Sequence, residues 1–126
     1  MKICRIFHFS SAHTLPNHEG KCWQLHGHNY KLEVELKGPT LFSDGPSKGM
    51  LIDFKDLDDM IKGLIIEDLD HKYLNDIVGN PTAENLILWI IHRLRTMTTL
   101  GNSIRFYRIR LWENHKSYVE VGEEDL

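Results

Sequence analysis

A cysteine and two histidines lie within seven positions of the segment CWQLHGHNY, residues 22–30. If His26 and His28 belong to a strand, their side chains point to the same face, because side chains two residues apart share a face. Neutral imidazoles are common ligands of Zn²⁺. The spacing therefore suggests a zinc site, although a His-x-His pair alone is a weak signal. The competing interpretation is two partly exposed strand histidines that bond to water or backbone.

A third ligand has to come from elsewhere in the chain. His13, just past the first predicted strand, is the best candidate, and His8 and His18 are rivals. Three histidine ligands leave one tetrahedral position open, which is typical of a catalytic rather than a structural zinc site.

Cys22 is a candidate nucleophile, base or fourth metal ligand. A metal or a cationic neighbour would lower the pKa of its thiol and favour the reactive thiolate. It could equally be a small, half-buried loop residue without a chemical role. The second cysteine, Cys4, lies within a predicted strand, where we expect it to pack in the core.

Two further sites carry carboxylates that could take part in chemistry. Asp70 and His71 are adjacent in LDHKYLND. The Asp70 carboxylate could orient the His71 imidazole as a base. The alternative is that this segment is a solvated loop. Glu113 ends a predicted strand, and its carboxylate needs a partner if it is buried. A ligand with two adjacent N–H groups could donate two hydrogen bonds to it. The alternative is that the side chain reaches solvent. The strand's alternation places it on an apolar face with Tyr107, Ile109 and Leu111.

The elements that position these residues follow from hydrophobic periodicity. Alternating segments predict strands, and apolar residues at helical spacing predict one helix from about Lys55 and another after the N-cap Thr82. The predicted strands cover residues 2–10, 28–37, 50–54 (short), 104–113 and 117–121, with a turn at 100–103. Setting the short strand aside, the order is strand-strand-helix-helix-strand-strand. This indicates a single α+β domain, residues 1–126, with an antiparallel sheet and the helices on one face.

Composition narrows the functional class. The chain has 126 residues and a net charge of −3, so it has no overall basic character for nucleic acid. An anionic substrate would then need a local basic patch. The arginines at 105, 108 and 110 could bind phosphate, but they differ in strand parity, and we expect them to be solvated. Two cysteines form no disulfide framework, and the N-terminus lacks a signal-peptide core. We expect a cytoplasmic protein with neither a nucleic-acid nor a membrane partner.

Six ordered motifs together resemble the 6-pyruvoyltetrahydropterin synthase family, which includes the 6-carboxytetrahydropterin synthases of the queuosine pathway. They are FSSAHTLP, C-x-x-x-HGHNY, GMLIDFKDL, LDHKYLND, NPTAENL and LWENHKSYVEV. The resemblance extends from Phe7 to about Val121. The predicted order of elements is also similar to the family's tunnelling fold, or T-fold, in which subunits join their sheets into a barrel.

The resemblance implies a role for each candidate residue. It implies Zn²⁺ ligands at His13, His26 and His28, catalytic residues at Cys22, Asp70 and His71, and substrate-binding residues at Glu113, Thr82 and Glu84. Of these, Glu113 would anchor the pterin. The family is typically a homohexamer of two trimers with active sites between subunits, so the Asp-His pair would serve a neighbouring chain.

The implied activity is that of a lyase. It converts 7,8-dihydroneopterin triphosphate to 6-carboxy-5,6,7,8-tetrahydropterin, a precursor for the tRNA modification queuosine, with loss of triphosphate and acetaldehyde. Three residues between Cys22 and His26 favour this branch over the pyruvoyl-forming one, which resembles this chain but has a longer gap. Cys22 argues against a folate-linked branch that has glutamate instead, although Glu19 lies nearby. Asn114 departs from the commoner Glu-Thr pair, which affects the expected pocket contacts.

Two different classes of function compete with the synthase. One is a pterin- or purine-binding module with a structural zinc and no turnover. The three-histidine site and Cys22 argue against it, because a structural zinc is usually closed by four protein ligands. The second is a zinc hydrolase that acts on a cyclic amidine or nucleotide ring, and it would add water to its substrate.

Overall fold

The computed structural model describes residues 1–101 and 103–126. Their strands form an antiparallel sheet in the chain order β1-β2-β3-β4. The strands are β1 (Lys2–His13), β2 (His26–Lys37), β3 (Arg105–Asn114) and β4 (Ser117–Gly122). The predicted turn at 100–103 includes Asn102, which lies outside the described residues.

The pairing of β1 with β2 is what builds the candidate metal site. His13 lies opposite His26, and Ser11 lies opposite His28. Both strands are longer at this end than predicted, and the loop of residues 70–73 binds the edge of β1 there. Ala12 N donates to Lys72 O at 3.0 Å, and His71 N donates to Ser10 O at 2.7 Å.

The first helical segment runs without a break from Phe54 to Leu69. It consists of α1 (Phe54–Ile61), a π-helical stretch (Lys62–Ile66) and α2 (Glu67–Leu69). Asp53 caps it by accepting a hydrogen bond from Lys55 N. The predicted short strand at 50–54 is therefore wrong: Leu51 packs into the core, while the residues after it lead into the cap and the first turn.

The second long helix, α3 (Ala83–Met97), begins where the sequence predicts. Thr82 is its N-cap, and the Thr82 hydroxyl accepts a hydrogen bond from Asn85 N at 3.1 Å. This bond satisfies one of the free backbone donors of the first turn.

The core lies between the helices and one face of the sheet. The buried strand residues include Phe7, Phe9, Tyr30, Leu32, Val34, Leu36, Ile109 and Leu111, packed with Leu57, Ile61, Ile65, Leu86 and Ile90. The prediction of helices on one face is confirmed. Cys4, expected in the core, is exposed, because its position on β1 opposite Glu35 places it on the face away from the helices.

Two irregularities in β3 change which residues face the core. The register shifts at Glu35/Leu36, which leaves Tyr107 as an extra residue between Phe106 and Arg108. Tyr107 lies beneath the Nζ atoms of Lys2 and Lys37 and does not share the face of Ile109 as predicted. The second shift, between Trp112 and Asn114, occurs at Glu113.

Candidate active site

Three histidines meet at the paired ends of β1 and β2. His13, His26 and His28 each offer a ring nitrogen, and these atoms lie within 4.8 Å of one another. The Nε2 atoms of His13 and His26 are 3.0 Å apart. The structure therefore brings together His13, rather than the rivals His8 and His18, with the His-x-His pair.

Backbone carbonyls orient two of the rings. His13 Nδ1 donates to Pro81 O and His26 Nδ1 donates to Gln24 O, each at 2.8 Å. A proton held on Nδ1 leaves the Nε2 lone pair free as a metal ligand. Burial also lowers the pKa of His13 and of His28, which favours the neutral, ligating form.

Two buried polar atoms beside this cluster have no hydrogen-bond partner among the described residues: His28 Nε2 and the Tyr30 hydroxyl. The ring of Tyr30 lies 5.7 Å from that of His28, centroid to centroid. Burial, and then the charge of Glu113, raises the pKa of Tyr30, so the phenol stays protonated. A buried imidazole nitrogen without a partner is costly, and a divalent cation would satisfy it. The donor set fits Zn²⁺ with an open coordination position.

Glu113 connects the histidine cluster to a cavity of about 340 Å³. Its Oε1 lies 3.8 Å from His28 Nε2, and Glu113 also lines the cavity with Cys22, Thr82 and Glu84. Four of the residues to which the resemblance gives catalytic or substrate-binding roles therefore surround one cavity, although they come from separate segments of the chain.

The predicted Asp-His pair forms, but at another cavity. His71 Nδ1 lies 3.0 Å from Asp70 Oδ1, and Asp70 Oδ1 accepts a bond from Ser10 N at 2.9 Å. That backbone bond, and then the bonds and charge of His71, lower the pKa of Asp70. His71 has a φ of +57°, which lets these adjacent side chains meet, and it is 83% exposed. Its cavity shares no lining residue with that of Cys22.

Asn75 is a site residue that sequence reasoning missed. Its Oδ1 accepts from Thr14 N at 2.9 Å, and its Nδ2 donates to Thr14 O at 3.0 Å and to Thr14 Oγ1 at 3.1 Å. It thereby ties the loop after the Asp-His pair to the residue that follows His13. No spacing rule indicates such a contact, because the two residues are 61 positions apart.

The arginines of β3 are paired with acids on the sheet face away from the helices. Arg108 Nη2 lies 2.7 Å from Glu35 Oε2, and Arg110 Nη2 lies 2.7 Å from Glu120 Oε1. Arg105 bonds to Glu123. The arginines, which we expected to be solvated, thus form ion pairs with acids of the same sheet face, and these pairs argue against a phosphate site.

Comparison with known proteins decides the family. The model of the 6-pyruvoyl tetrahydropterin synthase family matches residues 2–124. The chain belongs to that family. The recognition made from the six motifs is thereby confirmed.

Relatives and solved structures agree with this assignment. The chain is 37% identical to a 6-carboxy-5,6,7,8-tetrahydropterin synthase of Haemophilus influenzae, over 97% of this chain and 99% of the relative. It is 36% identical to a dihydroneopterin monophosphate aldolase of Pyrococcus furiosus, over 90% of each. The fold matches the 6-pyruvoyl tetrahydropterin synthase of Caenorhabditis elegans with a TM-score of 0.80 at 24% identity, over 97% of this chain and 94% of that one.

These comparisons settle two further predictions. The T-fold is confirmed by its structural neighbours. The prediction of an enzyme of the lyase type is confirmed at the level of the family, since the synthases among its relatives are lyases. Among the described residues, no helix is both long and apolar enough to cross a membrane.

Proposed function

We propose that this protein is a zinc-dependent, cytoplasmic 6-carboxytetrahydropterin synthase that provides a queuosine precursor. It would convert 7,8-dihydroneopterin triphosphate to 6-carboxy-5,6,7,8-tetrahydropterin with release of triphosphate and acetaldehyde. The observation that carries the proposal is the position of Glu113, which lies against the three-histidine cluster and also lines the cavity of Cys22. Two curated relatives with the carboxytetrahydropterin synthase name, at 37% and 35% identity, support it.

The cavity has the size and the groups to hold a pterin. About 340 Å³ is within the usual range for small-molecule sites. The Glu113 carboxylate can accept two parallel hydrogen bonds from the N–H and amino edge of the ring, which is the strong, bidentate geometry. Thr82 and Glu84 line the same wall at the start of α3.

The three histidines would hold the metal beside this cavity. Zinc, when bound, supplies a Lewis acid toward the hydroxyls of the substrate side chain. Cys22 faces the cavity and would accept and return a proton there as a thiolate. Asp70 holds the proton of His71 on Nδ1, so His71 presents Nε2 as the second proton-transfer group.

One chain does not bring His71 to the cavity of Cys22, and we propose that a second copy does. β4 is a free edge of the sheet, and its residues Ser117 and Tyr118 line the Cys22 cavity. β1 is the opposite edge, and His71 flanks its end. Pairing β4 of one copy with β1 of the next would continue the antiparallel alternation and bring the two groups together. This supports a closed assembly, which we propose is a hexamer of two trimers.

The aldolase relative motivates a second candidate function. It is 36% identical to this chain, and its name states an aldolase that acts on dihydroneopterin monophosphate. The second candidate is therefore aldol cleavage of dihydroneopterin monophosphate. A pyruvoyl-forming synthase would use the same residues in the same roles.

The test is the mass of the product formed by zinc-loaded protein. We expect 7,8-dihydroneopterin triphosphate to give a carboxytetrahydropterin and acetaldehyde. Cys22→Ala should abolish turnover, while Cys4→Ala, at an exposed position outside the cavity, should leave it unchanged. A pyruvoyl product would replace the proposal with the pyruvoyl-forming synthase, and turnover of the monophosphate alone would replace it with the aldolase. Absence of any product from zinc-loaded protein would indicate a binding module.

A further inference from the structure

Two cavities adjoin where the paired ends of β1 and β2 meet the sheet face that is turned away from the helices. One, of about 510 Å³, is lined by Ser10, Asn29, His71 and Lys72 among others. The second, of about 290 Å³, also includes Asn29. Because they share this residue, the two cavities are neighbours, and we call them together the open-face groove. Its defining side chains are His8, Ser10, Asn29, Lys31, His71 and Lys72.

The groove has unpaired positive charge. Among the described residues, neither Lys31 nor Lys72 has a carboxylate within 4 Å, in contrast to the paired arginines farther along the same face. Lys31 Nζ lies over the ring of Trp112, 4.6 Å from its centroid. This contact holds the ammonium group at the groove without neutralising its charge.

The acids at the margins of the groove are already engaged. Asp70 accepts bonds from Ser10 N and His71. Glu33, at the other end, accepts a bond from Trp112 Nε1 at 2.7 Å. The groove is therefore locally cationic although the whole chain carries a net charge of −3.

The neutral groups of the groove also favour an anion. Ser10 Oγ donates to Asn29 Oδ1 at 2.6 Å, which leaves the two N–H donors of the Asn29 amide without a partner among the described residues. Amide and ammonium donors together match the many acceptor oxygens of a polyphosphate.

We propose that the open-face groove binds the triphosphate of the substrate. This inference rests on the proposed function. Since His71 would serve the cavity of an adjacent copy, and His71 and Lys72 line the same groove, a substrate that reaches His71 also reaches Lys72. The copy that provides His71 would hold the phosphates, and the copy that provides Glu113 would hold the pterin.

The direct test is calorimetric binding of inorganic tripolyphosphate to the zinc-loaded protein. We expect Lys31→Met with Lys72→Met to weaken binding at least tenfold. Lys55→Met with Lys62→Met is the matched control, since these lysines pair with Asp59 and Asp58 on α1 and their loss removes the same two positive charges. This control should bind within twofold of wild type. Lys31→Arg should retain binding, because it keeps both the charge and the contact with Trp112. Unchanged binding by the double variant would overturn the proposal.

A kinetic measurement separates this proposal from the proposed function. With 7,8-dihydroneopterin triphosphate, the double variant should raise KM at least tenfold with kcat within about threefold of wild type. If wild type turns the substrate over and the double variant binds tripolyphosphate normally, the groove proposal fails and the function stands. If wild type shows no turnover but the double variant loses tripolyphosphate binding, the function fails and the groove remains a polyphosphate site.

Discussion

Asn75 offers a sharp test of how the histidine cluster is held in place. Its side chain makes three hydrogen bonds to Thr14, the residue after His13. Asn75→Ala removes all three and leaves the Thr14 backbone N–H and C=O without these partners. The change touches neither His13 itself nor any cavity-lining group.

The expected magnitude follows from these bonds. At a net value of about 1 kcal/mol each, three bonds amount to about 3 kcal/mol, and because the site is only partly buried we expect a loss of about 2 kcal/mol in the free energy of unfolding. The backbone next to His13 would also be held less firmly, because Thr14 would no longer be bonded to the Asn75 side chain. Groups that orient metal ligands typically contribute about tenfold or more to metal affinity, so zinc binding should weaken by about tenfold.

Two assays check the two parts of this prediction. Urea unfolding of the metal-free protein measures the stability change, and competition with a chromophoric chelator measures zinc affinity. Asn17→Ala is the control, since Asn17 is exposed and its side chain forms no hydrogen bond within the described residues. An Asn75→Ala variant as stable as wild type would refute the stabilising role. A destabilised variant with wild-type zinc affinity would refute the coupling to His13.

Four further results are expected. Tyr30→Phe should leave the metal-free protein as stable as wild type or stabilise it by about 1 kcal/mol, because it removes a buried hydroxyl without a partner; a loss in urea unfolding would contradict this. Thr82→Ala should cost about 1 kcal/mol in the same assay by removing the cap of α3. The free energy of unfolding of the metal-free protein should fall as the pH drops from 7.5 through 6.5. Burial lowers the pKa of His13 and of His28 in the folded state, so the unfolded chain takes up protons at a higher pH than the folded chain does. The control variant for this pH dependence, His28→Asn, should flatten the slope. Glu113→Gln should weaken pterin binding at least tenfold, measured by fluorescence, with zinc still bound.

Local periodicity was sufficient for most of the fold. The alternation in HNYKLEVELK predicts a half-buried strand, and its apolar even positions are buried. The helical spacing after Lys55 and the cap at Thr82 are confirmed as well. The prediction of a short strand at 50–54 was wrong, because an apolar segment of that length does not show whether it pairs with a strand or packs as a loop. The prediction that Tyr107 shares the face of Ile109 was wrong, because a bulge interrupts the alternation of β3.

In the candidate site, too, local spacing predicted some features and the tertiary structure was needed for others. His26 and His28 could be assigned to one face from their spacing alone, and the ordered motifs identified the family. The choice of His13 over His8 and His18 required the β1–β2 register, which places His13 opposite His26. The resemblance implied that the Asp-His pair serves a neighbouring chain, and within one chain the structure places this pair at a different cavity from that of Cys22.

The sequence by itself determined the four main strands and the two long helical segments, the facing of the His-x-His pair and the family. The tertiary structure decided which distant groups meet: Glu113 with His28, Asn75 with Thr14, and Lys31 and Lys72 in one groove. The reason is physical. The facing of side chains within a strand or helix follows from backbone geometry over a few residues, whereas contacts across dozens of residues depend on strand register, bulges and packing.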